Sequence, residues 1–251
     1  HKPDRRQRQM CIRDRANKRG LVIAGTGSNS TREAVEMTQS AELAGADAAL
    51  LVTPYYNKPS QEGLFQHYKA IAQSTELTLM LYSIPGRCHI EIEIDTAVRL
   101  AEACPNIKAI KEAGGVTERV RQLRAALPEE FNILSGDDAL TVDFMKAGAV
   151  GVVSVASNLI PSAMAELCRA ILENRISDAE AIEARYNDLF EAFLKLDTNP
   201  VPIKAALGLT HECSPQLRLP MVEMSDEKVE KLRSTLAPVS YTHLRAHETS
   251  I

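Results

Sequence analysis

Apolar residues recur along this chain in two alternating patterns: short unbroken runs, and longer stretches with helical spacing. The run LVIAG at residues 21–25 is typical of a buried strand, and Thr31 is predicted to cap the helix that follows it. Further strands are predicted at residues 47–53, 77–84, 107–113, 131–134 and 151–156. Beyond them the pattern is mainly helical, at residues 161–173, 177–196, 201–207 and 225–236.

This alternation predicts an α/β fold with parallel strands in right-handed βαβ units. A doubly wound sheet and a (β/α)8 TIM barrel both fit. The segment Gly25-Thr26-Gly27 lacks the third glycine of a phosphate-binding G-x-G-x-x-G loop. Polar residues gather after the strand ends instead, and a barrel builds its active site there. A closed barrel has eight strands, so the strands counted here predict a TIM barrel that lacks about the first two βα units.

The predicted organisation has four parts: a tail over 1–15, a partial TIM barrel over 16–160, C-terminal barrel helices with a helical extension over 161–237, and a tail over 238–251. Neither tail has a helical or strand period. We expect both to be non-native or disordered. The N-terminal tail lacks the apolar segment of a signal peptide.

Composition narrows the function classes. A net charge of -4 and a pI near 5.9 argue against broad binding to nucleic acid or to anionic membranes. No apolar run approaches the length of a membrane span. The five cysteines are scattered, which is typical of reduced thiols in a cytoplasmic protein. The six histidines show no metal-ligand spacing.

Lys111 is the first candidate catalytic residue, because it lies near the carboxyl end of the apolar run at 107–113. Burial removes water from an ammonium group and lowers its pKa. The neutral amine attacks carbonyl carbons and forms Schiff bases. The alternative is a structural lysine whose ammonium group reaches solvent from the strand end.

Tyr82 lies near the carboxyl end of the third predicted strand, and Arg87 follows that strand. The Tyr82 phenol is a candidate proton-transfer group, or a packing residue with one satisfied hydroxyl. Arg87 follows a Pro-Gly pair in a predicted loop. It is a candidate to bind a carboxylate with two hydrogen bonds, or a solvated loop arginine.

Two further loops carry polar or aromatic residues. In the segment SGDD at 135–138 the acids are predicted N-caps, and Gly136 permits close approach of the backbone to a ligand. Tyr55 and Tyr56 belong to an aromatic loop that could cover a site or pack on a partner chain.

Five motifs, in this order, resemble the dihydrodipicolinate synthase family of pyruvate-dependent class I aldolases and lyases. They are VTPYYNKPSQEGLFQHYKAI, LYSIPGR, AIKEAGG, LSGDDAL and GVVSVASN. The resemblance covers residues 16–237. It implies a (β/α)8 barrel with a C-terminal helical extension, assembled as a homotetramer of tight dimers. It implies condensation of pyruvate with aspartate semialdehyde to 4-hydroxy-tetrahydrodipicolinate, for lysine and diaminopimelate biosynthesis in the cytoplasm. The Schiff base forms with pyruvate itself, so no metal or organic cofactor is expected, and neither nucleic acid nor membrane is an expected partner.

The resemblance assigns catalytic roles residue by residue. Lys111 corresponds to the Schiff-base lysine and Tyr82 to the acid/base phenol beside it. Tyr56 corresponds to a relay tyrosine that reaches into the neighbouring subunit's site. Arg87 corresponds to the arginine that receives the carboxylate of the aldehyde substrate.

Two further groups of residues match binding positions of the family. Gly136 and Val153 match positions whose backbone lines the lysine pocket. Asn29, Glu33 and Tyr55 match part of a feedback lysine site at a dimer interface.

The chain departs from the family pattern at several positions. Ser83 and Cys88 replace an Asn and a Thr, His89 replaces a flexible glycine, and Gly114 replaces a Thr. The segment G-T-T-G-E, which holds the family's catalytic threonines, does not occur in the chain. The expected proton relay and the lysine site are therefore incomplete, and an inactive fragment of the synthase is one alternative. A sialate lyase or sugar-acid aldolase is another, disfavoured by Arg87 and Tyr56. A nucleotide-binding domain is the third.

Overall fold

The computed structural model of the chain describes residues 10–210 and 213–236. These residues form two compact units. The first comprises the described residues up to Leu134 together with Ala147–Ala149. The second comprises Ser135–Lys146 and the described residues from Val150 onward. The predicted tail at 238–251 lies outside the described residues, as does the tail at 1–15 up to residue 9.

The first unit contains a parallel sheet whose strands are neighbours in chain order. Its strands are β1 (Ile23–Gly25), β2 (Ala48–Val52), β3 (Thr78–Ser83), β4 (Ile107–Glu112) and most of β5 (Asn132–Ser135). The central strands are buried, with Leu51, Leu79, Leu81 and Ile110 fully inaccessible to solvent. Parallel strands covered on both faces read as continuous apolar runs, and for this reason the hydrophobic pattern predicted these strands correctly.

Helices follow the strands, as predicted. In the first unit they are α1 (residues 10–16), α2 (Thr31–Leu43), α3 (Gln61–Ala72), α4 (Pro85–Cys88), α5 (Ile94–Ala103) and α6 (Thr117–Ala126). The N-cap of α2 is Ser30, whose side chain accepts a hydrogen bond from Glu33 N, so the predicted cap at Thr31 is wrong by one residue. The Thr31 hydroxyl is 2.9 Å from His67 Nδ1 instead. Arg87 lies in the single turn α4 rather than in a loop.

The N-terminal end differs from the irregular tail predicted up to Arg15. Residues 10–16 are helical. Arg13 Nη1 donates a hydrogen bond of 2.6 Å to Ala44 O at the end of α2, so a tertiary contact accompanies this helix. Sequence analysis did not predict that contact, because residues 1–15 are dense in Arg, Gln and Lys and show almost no apolar periodicity.

The second unit is mainly helical. Its elements are β6 (Gly151–Val152), α7 (Thr141–Lys146), α8 (Pro161–Leu172), α9 (Ile176–Lys195), α10 (Val201–Leu209) and α11 (residues 226–236). Its core includes buried side chains of α9 and α10, among them Phe190 and Phe193 on α9 and Val201 and Ala206 on α10.

Strand β6 is shorter than the strand predicted over 151–156. Val153 N donates to Ser135 O at 2.8 Å. Further along the chain, Val155 N and Ala156 N bond to the Asp138 carboxylate at 3.0 and 2.8 Å. A side chain thus replaces the sheet partner and ends the strand. These contacts also join residues 135–138 to 153–156, and both segments belong to the second unit.

The chain therefore has an α/β fold with a parallel sheet and a helical C-terminal part. Among the described residues, no helix has both the length and the apolar composition that spanning a bilayer requires.

Candidate active site

Tyr82 and Lys111 lie side by side on neighbouring strands. They are register partners in β3 and β4, and partners at the same level of a parallel sheet direct their side chains to the same face. Lys111 Nζ lies 4.2 Å from the centroid of the Tyr82 ring, within cation–π distance. Both side chains are half-buried. The structure therefore brings together the predicted amine and the predicted phenol.

Hydrogen bonds beyond the strand ends fix the backbone around this pair. Thr53 N donates to Tyr82 O at 3.0 Å, and Ala113 N donates to Ser83 O at 2.9 Å. Each bond extends a strand ladder by one residue toward the carboxyl edge of the sheet. The positions of Tyr82 and Lys111 are thus set by the sheet, and side chains built on strands are held more accurately than side chains on loops.

Burial raises the pKa of the Tyr82 phenol. The positive charge of Arg87 opposes this shift, and Cys88 adds to it. Since an ordinary phenol already has a pKa near 10, Tyr82 is protonated at neutral pH. It can therefore donate a proton, and the phenolate that remains can accept one back.

Arg87 is exposed on α4. The turn begins with Pro85 at its first position and ends at His89, which has a left-handed backbone with φ +55°. Glycine adopts this conformation most easily. His89 therefore keeps the left-handed backbone typical of the glycine that it replaces. The positive charge of Arg87 acts on the Tyr82 phenol and lowers its pKa, against the effect of burial.

Tyr56 is 90% exposed and has a left-handed backbone with φ +74°. Its neighbour Tyr55 is 43% exposed, and Tyr55 O accepts a hydrogen bond of 3.2 Å from Asn29 Nδ2. Asn57 Nδ2 donates to Asn29 O at 2.9 Å. The aromatic loop is thus tied to Asn29 while it presents Tyr56 to solvent.

The residues matched to the feedback site are partly brought together. Asn29 and Tyr55 are in contact through the bond above. Glu33 lies one turn along α2, and its Oε2 accepts a hydrogen bond of 3.0 Å from Ser28 Oγ. The roles of all three residues stay predictions.

In the second unit, Gly136 follows the end of β5, and Val153 is bonded through its backbone to Ser135. Gly136 and Val153 are therefore close in space, as residues lining one pocket must be. Asp137 accepts a hydrogen bond of 3.0 Å from Ala139 N and is the cap predicted for it. The predicted cap role of Asp138 is replaced by its bonds to Val155 and Ala156.

Sequence reasoning missed a buried ion pair beside Lys111. Glu112 is completely buried, and its Oε2 lies 2.9 Å from Arg119 Nε on α6. Gly114 N donates to Glu112 Oε1 at 2.7 Å. Burial raises the pKa of the Glu112 carboxyl, and Arg119 opposes that shift. The available signal was Arg119 next to Val120 on the buried face of α6, since a charge on such a face requires a partner.

A parallel α/β sheet that holds a strand-end lysine against a phenol has the features of a Schiff-base enzyme. The model of the dihydrodipicolinate synthetase family matches residues 4–238. The chain belongs to that family. It is the family that the five sequence motifs resemble.

Similar proteins are named 4-hydroxy-tetrahydrodipicolinate synthase. The chain is 47% identical over 224 residues to the 4-hydroxy-tetrahydrodipicolinate synthase of Persephonella marina, covering 88% of this chain and 75% of the relative. It is 46% identical over 222 residues to that of Aquifex aeolicus, with the same coverage.

Solved structures match the fold. The 4-hydroxy-tetrahydrodipicolinate synthase of Methylacidiphilum fumariolicum SolV superposes with a TM-score of 0.93 at 47% identity, covering 97% of this chain and 81% of that one. The dihydrodipicolinate synthase of Aquifex aeolicus gives a TM-score of 0.93 at 42% identity, covering 95% of this chain and 81% of that one.

Proposed function

We propose that this chain carries the catalytic lysine of a 4-hydroxy-tetrahydrodipicolinate synthase, which condenses pyruvate with aspartate semialdehyde. The observation that carries the proposal is the 4.2 Å distance between Lys111 Nζ and the Tyr82 ring. Relatives that are 44% to 50% identical bear the synthase name. The sialate lyase and sugar-acid aldolase alternatives have less support, because those enzymes typically lack the arginine after Pro-Gly and the aromatic loop, which are present here as Arg87 and Tyr56.

The reaction begins at Lys111. Its neutral amine attacks the ketone carbon of pyruvate, and loss of water gives a protonated imine. The imine nitrogen withdraws electrons, so a methyl proton is lost and an enamine forms. The enamine carbon then bonds to the aldehyde carbon of aspartate semialdehyde. The aldehyde oxygen takes a proton, and ring closure by the substrate's amino group releases Lys111. Because the imine nitrogen is the electron sink, this sequence requires no metal or organic cofactor.

Tyr82 supplies the proton to the aldehyde oxygen. Its raised pKa keeps the phenol protonated until the oxygen becomes strongly basic. Tyr56 passes protons to Tyr82 from a neighbouring subunit, a role that its exposure permits. Arg87 binds the carboxylate of aspartate semialdehyde with charge-assisted hydrogen bonds.

The remaining positions bind ligands. Gly136 and Val153 bind substrate through their backbone, the role that the family resemblance gives them. Asn29, Glu33 and Tyr55 contribute to a lysine-binding site at a dimer interface, and the contact between Asn29 and Tyr55 supports that grouping.

The finer fold and the assembly follow from the same family membership. The six strands of the described residues form part of a (β/α)8 TIM barrel with a C-terminal helical extension. A closed barrel has eight strands, and this chain covers 81% of a similar synthase, which leaves a part of that synthase unmatched. The assembly is a homotetramer of tight dimers in the cytoplasm. One similar structure is described as a monomeric synthase variant, so tetramer formation is tested separately by the solution mass.

The test is synthase activity of the purified chain with pyruvate and aspartate semialdehyde. Product formation that is abolished by Lys111→Ala supports the proposal. Cleavage of a sialic acid or sugar acid in preference to this condensation contradicts it. No turnover of either kind favours the inactive-fragment alternative.

A further inference from the structure

The guanidinium group of Arg119 bridges two segments that each follow a residue of the proposed site. On one side it reaches Glu112, the residue directly after Lys111. On the other side it reaches Glu91 and Ile92, four and five residues after Arg87. The bridge thus connects the carboxyl end of β4 with the chain that leaves α4.

The Glu112 side of the bridge is fully enclosed. Glu112 is 0% exposed, and both of its carboxylate oxygens are used: Oε2 by Arg119 at 2.9 Å and Oε1 by Gly114 N at 2.7 Å. A Cβ at position 114 would lie 2.7 Å from Glu112 Oε1. The absence of a side chain at Gly114 therefore allows the carboxylate to fold back onto the backbone that follows Lys111.

The other side of the bridge is held at several points. Arg119 Nη2 donates to Ile92 O, and Arg119 Nε lies 3.2 Å from Glu91 Oε1. Ile92 N donates to Ser83 Oγ at 3.4 Å, next to Tyr82. Gln61 holds the same segment through bonds to Glu91 O at 2.8 Å and from Glu93 N at 3.1 Å. The chain after Arg87 is therefore fixed to β3, α3 and α6.

A buried ion pair is an expensive way to gain stability. Desolvation of two charges offsets their attraction, and apolar replacements of similar volume are often equally stable. The planar guanidinium group, however, directs several donors in fixed directions. Arg119 therefore fixes the position of the two segments relative to each other, in addition to any contribution to stability.

We propose that Arg119, with Glu112, is a positioning residue that sets the place of Arg87 relative to Lys111 and thereby determines use of the aldehyde substrate. This inference rests on the proposed function. Pyruvate reaches Lys111 without Arg87, whereas the aldehyde must contact Arg87 and the enamine on Lys111 at once. A displaced Arg87 therefore impairs the second substrate selectively.

The test compares Arg119→Lys and the double variant Glu112→Gln/Arg119→Met with the unchanged chain. The double variant avoids leaving Glu112 as an unpaired buried charge, as Arg119→Met alone would. The matched control is Arg121→Met, which removes an exposed ion pair with Glu118 from the same helix. Thermal unfolding confirms that each variant is folded.

In the double variant we expect the KM for aspartate semialdehyde to rise about tenfold or more, since small misplacements of a binding group have effects of this size. Borohydride trapping of pyruvate on Lys111 stays within a factor of about two, because that step needs no Arg87. Arg119→Lys gives an intermediate KM, and Arg121→Met changes neither quantity.

An unchanged KM in folded variants overturns the inference, and so does an equal loss in pyruvate trapping and aldehyde use. Failure of both Arg119 variants to fold also overturns it, because the ion pair is then purely structural. If the unchanged chain forms no pyruvate adduct, the proposed function itself fails. An active chain with unaffected variants overturns the positioning role alone.

Discussion

Lys111 Nζ lies against the face of the Tyr82 ring, 4.2 Å from the ring centroid, because the two residues are register partners in adjacent parallel strands. An imine formed on Nζ is therefore at the same level of the sheet as the phenol. This relationship is set by strand pairing and is independent of loop conformation. It gives the proposed site an amine and a phenol that are placed by the fold.

Replacement of Tyr82 by Phe keeps the ring beside Lys111 and removes the hydroxyl. We expect kcat for the condensation to fall by about a hundredfold, the usual effect of losing one proton-transfer group. Pyruvate trapping on Lys111 persists. The measurement is steady-state turnover with both substrates. Tyr68→Phe is the control, since it removes another buried hydroxyl for which the described residues provide no hydrogen-bond partner. Equal turnover by Tyr82→Phe and the unchanged chain would contradict the role of the phenol.

Replacement of Arg87 by Ala removes the proposed carboxylate contact. The KM for aspartate semialdehyde is expected to rise about ten- to a hundredfold, in line with loss of a charge-assisted hydrogen bond. The rate of pyruvate trapping is expected to stay unchanged. Arg99→Ala is the control, because Arg99 forms an exposed ion pair with Glu62. A matching loss of pyruvate trapping would instead indicate a structural role for Arg87.

The buried His67 predicts a loss of stability in acid. Burial lowers the pKa of His67 to about 4 from an ordinary 6.5. Between these values the unfolded chain binds the proton more tightly than the folded chain does. Stability therefore falls as pH decreases from 6.5 toward 4, by up to about 3 kcal/mol if the whole shift is expressed.

Urea unfolding as a function of pH measures this contribution. The variant His67→Gln lacks the titrating ring and is expected to lose less stability over that pH range than the unchanged chain. His89→Asn is the control, because His89 is exposed and Asn tolerates its left-handed backbone. Parallel stability curves for His67→Gln and the unchanged chain would show that His67 does not titrate as described.

The order of strands and helices was predictable because each buried strand is an apolar run and each of the predicted helices has an apolar stripe. The details that failed depend on contacts between distant residues. Arg13 on helix α1 donates a hydrogen bond to Ala44 O. Beyond β6, Val155 N and Ala156 N bond to the Asp138 carboxylate and not to a neighbouring strand. Hydrophobic periodicity contains no information about either contact.

The site was predictable to a similar degree. The proximity of Lys111 and Tyr82 was predictable because both lie near the carboxyl ends of apolar strands, and their catalytic roles stay predictions. Arg119 was missed because its partner Glu112 lies on a different element, and charge pairing across elements depends on the register of β4 against α6. Spacing along one chain cannot specify such a pair.

The most direct test of the central claim is the location of the pyruvate adduct. The chain is incubated with pyruvate, reduced with borohydride, digested and analysed by peptide mass spectrometry, with Lys108→Arg as a control for the exposed lysine on the same strand. The proposed function predicts one reduced pyruvate adduct on Lys111, retained in Lys108→Arg and lost in Lys111→Arg. An adduct on Lys108, or a chain that is folded yet forms no adduct on Lys111, would contradict it.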